Sequence, residues 1–185
     1  MKYLFVLPLF LIAFSGLAQK KGANIYSISY GHGNGEIRPF AALAKSNGTN
    51  SKGPVNLFGL NYYGGIGKHA YIETGISLLT HRYTFKEFGS PEPKPIVNKS
   101  YNAFFIPFKI RFDIAKFFFI SGGLSADFNV KGGSSLGAGI GAGVQYYHKK
   151  GYGIFIYPQT NVHDLAIGLV ERNISFGLAY RIPRR

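Results

Sequence analysis

The chain of 185 residues has no cysteine, no tryptophan, one methionine and only 8 acidic side chains against 21 basic ones. Lack of cysteine excludes disulfides, thiolate metal sites and a lipid-modified cysteine behind an export signal. The five histidines, His32, His69, His81, His148 and His163, have no ligand spacing such as H-x-x-x-H, so no metal-binding or cofactor-binding residues are assigned. Long apolar runs are missing too. The apolar stretch from Tyr3 to Phe14 falls short of the roughly 20 residues of a spanning helix. Preceded by Lys2 and followed by Ser15-Gly16-Leu17-Ala18, it has the layout of a cleaved export signal over residues 1–18. Residues 19–185 then form a single domain, large enough for its own core. The shortage of acid gives a net charge of +13. In an exported chain that excess meets anionic lipid head groups, lipopolysaccharide phosphates or acidic polysaccharide, and nucleic acid is not expected.

What the chain has in quantity is aromatics and glycine: 17 Phe, 13 Tyr and 25 Gly, at a mean hydropathy of +0.04. The stretch Tyr101–Ile114 shows how they are used. Phe104, Ile106, Phe108, Ile110, Phe112 and Ile114 occupy its even positions, and Lys109, Arg111 and Asp113 the odd ones. A period of two is that of a β-strand with two different faces. Six bulky apolar positions on one face match a tilted strand that crosses a bilayer, with the charges turned into a barrel. Pro107 has no N–H to give to a ladder, so a local bulge or an unpaired carbonyl is expected there.

The same alternation recurs. It predicts strands over 24–31, 55–63, 69–84, 101–114, 117–130, 136–147, 152–159 and 172–182. Short turns fall at Gly64–Lys68, Ala115–Lys116 and His148–Gly151, and longer connections at 32–54, 85–99, 131–135 and 160–171. Alternating short turns and longer loops between an even number of strands is the pattern of an outer-membrane barrel with short periplasmic turns and extracellular loops. The fold class is therefore all-β: an eight-stranded antiparallel up-and-down transmembrane β-barrel. Tyr30, Tyr62, Tyr83, Tyr101, Tyr146, Tyr152 and Tyr180 lie near strand ends, where their rings suit interfacial girdles.

Four features together, the signal ending in Ala18-Gln19, the segment Phe105-Ile106-Pro107-Phe108-Lys109, the glycine strand Ser121-Gly122-Gly123-Leu124 and the closing Phe176-Gly177-Leu178-Ala179-Tyr180-Arg181-Ile182, resemble the small outer-membrane β-barrel (porin-like) proteins of Bacteroidetes-type bacteria. The resemblance implies the fold and an outer-membrane location in the cell envelope. It implies no substrate, because such scaffolds carry different functions on their loops.

Parity sets the candidate residues. Pairing the third and fourth strands about position 92 brings Glu73 opposite Arg111, with Lys109 and Asp113 close by, and predicts an ionic network in the lumen. Phe105, Phe119, Phe155 and Tyr157 share the inward parity and predict a plugged barrel. The loop bases Arg38, Lys45, Lys52, Lys86, Lys94 and Lys99 are candidates for capturing an anionic surface ligand or a protein partner. Gly137, Gly139 and Ala142 formally match G-x-G-x-x-A, but strand alternation on both sides replaces the helix that a dinucleotide site needs. No catalytic residue is assigned, and no cofactor. The expected work is structural or a surface interaction through the loops. The alternatives are a small porin or transporter for small solutes or hydrophobic molecules, a lipid A-modifying hydrolase using Ser77, His81, His163 and Asp164, and a soluble periplasmic ligand-binding barrel with its apolar face inward.

Overall fold

The structure, a computed structural model, describes residues 23–37, 51–85, 97–130, 133–163 and 168–182, and within these the side chains of residues 51, 84–85 and 97–99 are not described. The signal assigned to residues 1–18 lies outside the described residues. Eight strands follow in order: β1 (Asn24–Ile37), β2 (Ser51–Gly65), β3 (Ala70–Phe85), β4 (Val97–Asp113), β5 (Phe118–Asn129), β6 (Ser134–Tyr147), β7 (Tyr152–His163) and β8 (Leu169–Ile182). Each pairs with the next, antiparallel throughout, and β8 pairs with β1 to close the barrel.

The register fixes its width. Stepping from partner to partner, from Asn24 through Gly64, Ile72, Ile110, Gly122, Ile140, Thr160 and Arg172, returns to β1 at Asn34, ten residues further along. Such a stagger on eight strands tilts them by about 40° and leaves an interior just wide enough for side chains to fill.

Alternation assigns the faces. Tyr26, Ile28 and Tyr30 of β1, Ile110 and Phe112 of β4, Ile120 and Leu124 of β5, and Phe176, Leu178 and Tyr180 of β8 are all exposed on the outside. The inward set includes Glu73, Lys109, Arg111, Asp127, His163 and Glu171, all buried. The apolar face therefore points outward, opposite to the arrangement of a soluble barrel that binds ligand inside.

Two expectations are corrected, and at Pro107 the structure decides between the two alternatives expected there. The strands overrun the expected loops: β1 continues to Ile37, β2 starts at Ser51, β4 at Val97, β7 runs to His163 and β8 begins at Leu169. Hydrophobic alternation on the outer face stops near His32 and Asn56, but ladder hydrogen bonds do not depend on side-chain polarity. Around Pro107 no residue is inserted. Glu73 pairs with Lys109 and Ser77 with Phe105 in one register, and the β3–β4 ladder simply has no partners in between. Opposite the proline, Gly75 sits at φ +152°, where an added Cβ would lie 2.8 Å from the Asn61 Cα, a backbone state suited to glycine. Finally, four of the seven tyrosines form a row on the outside at the short-turn end. Tyr62, Tyr26, Tyr180 and Tyr152 are successive register partners on β2, β1, β8 and β7. Their rings lie 5.2 Å apart in the Tyr26–Tyr62 and Tyr152–Tyr180 pairs. Tyr83 instead stacks on buried His81, and Tyr101 packs against an internal apolar cluster, because both share the inward parity.

Candidate functional site

The lumen is filled in three storeys, each built from inward positions of several strands. At the short-turn end Arg111, only 1% exposed, lies with its guanidinium carbon 3.8 Å from the ring centre of Phe119 and 4.9 Å from that of Tyr63. Its Nε and Nη2 both donate to Asp113 Oδ1 at 3.1 Å, and Nη2 also donates to Gln145 Oε1. Arg181 reaches the other Asp113 oxygen at 3.5 Å and stacks on Tyr147 at 4.1 Å. A planar guanidinium is suited to this combination, since it bonds in its plane and stacks on its faces. Ile25, Tyr63, Tyr71, Phe119, Phe155, Tyr157 and Ala179 form the apolar packing around it.

The middle storey is polar. Ser121 donates to Glu73 at 2.8 Å, and the Lys109 ammonium donates to Asn161 at 3.0 Å and to Gln159 at 3.3 Å. A space of about 20 Å³ remains between Tyr63, Glu73, Lys109, Tyr157 and Ser175, room for about one water.

At the loop end His163 lies between two carboxylates, with Nε2 at 2.6 Å from Glu171 and Nδ1 at 3.3 Å from Asp127. Ser125 donates to Asp127 at 2.7 Å, Asn173 donates to Glu171, and the Phe105 ring lies 4.8 Å from the imidazole. Val55, Leu57, Leu79, Phe105 and Leu169 pack beside this network.

The four residues of the expected ionic network thus all line the lumen or its short-turn mouth, but their pairing differs. Glu73 faces Lys109 across the ladder, not Arg111, because the β3–β4 hairpin is centred on position 91. Moving the centre by one residue moves every partner by two. No ion pair within 4 Å joins Glu73 to either base; Arg111 takes Asp113, two residues along its own strand. The cluster of Asp127, His163, Glu171 and Asn173 was not expected, His163 having been named only as a hydrolase candidate. Asp127 had the inward parity, while His163 and Glu171 fell in what was expected to be the loop 160–171.

The glycines of β6 serve as the wall for these groups. A Cβ on Gly141 would meet Tyr157 Cε2 at 2.5 Å, and one on Gly143 would meet Phe119 Cζ at 2.5 Å. Rings occupy the space at these two glycines, and Ser125, Asp127 and Asn161 that at Gly137 and Gly139. Gly143→Val is accordingly expected to cost about 1–3 kcal/mol through overpacking, read as an earlier urea midpoint of the folded barrel; an unchanged midpoint would show that the Phe119 ring is free to move away.

Of the loop bases, Lys52 is exposed on β2 opposite Glu36, and Lys99 belongs to β4 opposite Tyr83. Arg38, Lys45, Lys86 and Lys94 lie outside the described residues, as does Asp164. The hydrolase candidates do not meet. Ser77 and His81 are four residues apart on one strand, which separates them by about 13 Å, and both nitrogens of His163 are taken by carboxylates. Among the described residues no cluster of histidine and acidic side chains could hold a metal ion.

No family model matches the chain, and no curated protein matches it either. Among solved structures it is similar to Ail, the attachment invasion locus protein of Yersinia pestis, at 16% identity and a TM-score of 0.47, covering 88% of this chain and 100% of Ail. It is also similar to a de novo designed transmembrane β-barrel, at 10% identity and a TM-score of 0.45 over 89% of this chain and 98% of the design. The outer membrane protease OmpT from Escherichia coli follows at 11% identity and a TM-score of 0.38, over 86% and 97% of the two chains. The likeness is weak in both sequence and geometry, and the eight-stranded closed barrel is established by this chain's own strand register.

Proposed function

We propose that this chain is an exported, non-enzymatic outer-membrane barrel that does not conduct, and that its work is structural or an interaction made through its loop end. The observation that carries this reading is the pairing of an apolar exterior with a lumen filled by side chains from Arg111 at one end to His163 at the other. Apolar residues facing out around the whole circumference have no partner in water, and a bilayer is the solvent that suits them. The row of tyrosines at the short-turn end fits a lipid–water interface. Removal of residues 1–18 on export, and capture of an anionic ligand by loop bases such as Lys52, belong to the same reading.

Planar-bilayer recording tests the closed state: the purified barrel is expected to give no stable unitary steps, and reproducible steps would overturn the reading in favour of a pore. The exterior has its own test. Ile110→Lys puts a charge on the apolar face and is expected to cost about 2–4 kcal/mol of folding into vesicles. A cost near zero would mean that this face is wet.

A further inference from the structure

The apolar exterior is not of even height. On β5 it runs from Phe118 to Phe128, whereas on β1 it comprises only Tyr26, Ile28 and Tyr30 before polar His32 and Asn34. With a rise of about 3.3 Å per residue and a tilt of about 40°, these bands are ~25 Å and ~10 Å tall. The belt is lowest on β1 and β2, where it ends at the register partners Tyr30 and Phe58, and β8 borders this notch with a taller run from Ile182 to Ile174.

One rung leads into this notch: Thr160 of β7, Arg172 of β8 and Asn34 of β1 are successive register partners. Arg172 is exposed, and among the described residues no side-chain hydrogen bond or ion pair engages it. Glu36, diagonal to Arg172 across the β1–β8 ladder, lines a cleft with it and has Lys52 as its own register partner on β2. Below the rung lies a groove of about 710 Å³ floored by Ile140, Ala142, Pro158 and Ile174. Pro158 and the small Ala142 face each other where the β6–β7 ladder lacks partners, between Gly141–Gln159 and Val144–Ile156. A second, almost wholly apolar groove of about 750 Å³ continues toward the short turns along Ile156 and Phe176.

We infer that this notch seats one phosphate-bearing glycolipid of the outer leaflet, with its phosphate on Arg172 between Thr160 and Asn34 and an acyl chain laid along the apolar grooves. The assignment rests on the outer-membrane reading above, in which the loop end faces outward. Guanidinium, hydroxyl and amide on one rung supply the donors that a phosphate needs. The low belt brings a head group down to their level, since lipid next to a short apolar band thins to match it.

The test is native mass spectrometry of the full chain refolded in detergent. It would be mixed with bisphosphorylated lipid A, with the same lipid after dephosphorylation, or with phosphatidylglycerol. One retained lipid A per barrel is expected, with retention falling about ten-fold on dephosphorylation and about ten-fold in Arg172→Gln. Arg82→Gln, an exposed arginine on β3 outside the notch, is expected to behave like wild type. Retention indifferent to phosphate or to Arg172 would mean ordinary boundary lipid and overturn the site. Equal retention of phosphatidylglycerol would overturn the glycolipid as its occupant. Comparing dephosphorylated with intact lipid on the wild-type chain needs no variant to fold. A chain that fails to form a compact, boiling-sensitive band in detergent would overturn the membrane reading itself, a different result from a compact barrel that ignores phosphate.

Discussion

Arg111→Ala is expected to be the most damaging single substitution in the barrel, lowering the stability of the folded state by about 3–5 kcal/mol, the range for removing one member of a buried charge pair. The guanidinium is shared by Asp113, Gln145, Phe119 and Tyr63. Its loss leaves Asp113 with only the more distant Arg181, leaves Gln145 Oε1 without this donor, and opens a space against two rings. Arg111→Lys is expected to recover little, because an ammonium offers neither the two-nitrogen approach to Asp113 nor a planar face for Phe119. Urea titration of the chain folded in vesicles measures both. If Arg111→Ala has a wild-type midpoint, the short-turn storey does not hold the barrel together.

The second large effect is on conduction, and it appears only in combination. Arg111→Ala with Phe119→Ala takes two large side chains out of the short-turn storey, and Phe105→Ala with His163→Ala takes two out of the loop-end storey. Each pair alone is expected to leave the bilayer silent, because the other storey still closes the lumen. Stable unitary steps are expected only when Lys109→Ala and Tyr157→Ala are added to all four, so that the middle storey opens as well, provided that the variant keeps the boiling-sensitive mobility of a folded barrel. Steps from either pair alone would place the whole barrier in one storey. The intervening space holds about one water, so neither end opens onto a cavity large enough to pass a solute.

How far the sequence reveals this arrangement differs between the two faces. The exterior repeats every second residue with the same chemistry, as in Phe104, Ile106, Phe108 and Ile110, so eight strands and their facing are legible from hydropathy alone. Strand ends above the belt are not. His32-Gly33-Asn34-Gly35 reads as a loop, yet it is paired in the β1–β2 and β1–β8 ladders. Only the lumen partners of Gly35, Val55 and His81 would have indicated that the strand goes on. That same shortening hid His163 and Glu171, which meet only because β7 and β8 extend past Gln159 and Arg172. The inward charges were visible by parity, but their partners were not. Pairing depends on the hairpin centre, and the segment between β3 and β4 carries three prolines, Pro91, Pro93 and Pro95, with no turn signal to distinguish position 91 from 92. Rotamer choice then lets Lys109 turn to Asn161 and away from Glu73, something no spacing rule encodes.

The account stands or falls on the apolar face being the lipid face. The most direct measurement is the gel mobility of the chain refolded from urea into detergent micelles, loaded with and without boiling. A compact band that converts to a slower one only on boiling, together with failure to fold in detergent-free buffer, is the result expected of an apolar exterior around a filled lumen. A chain that dissolves and folds to the same compact state without detergent would contradict it, because the exposed band from Tyr26 to Tyr180 could not then be facing lipid.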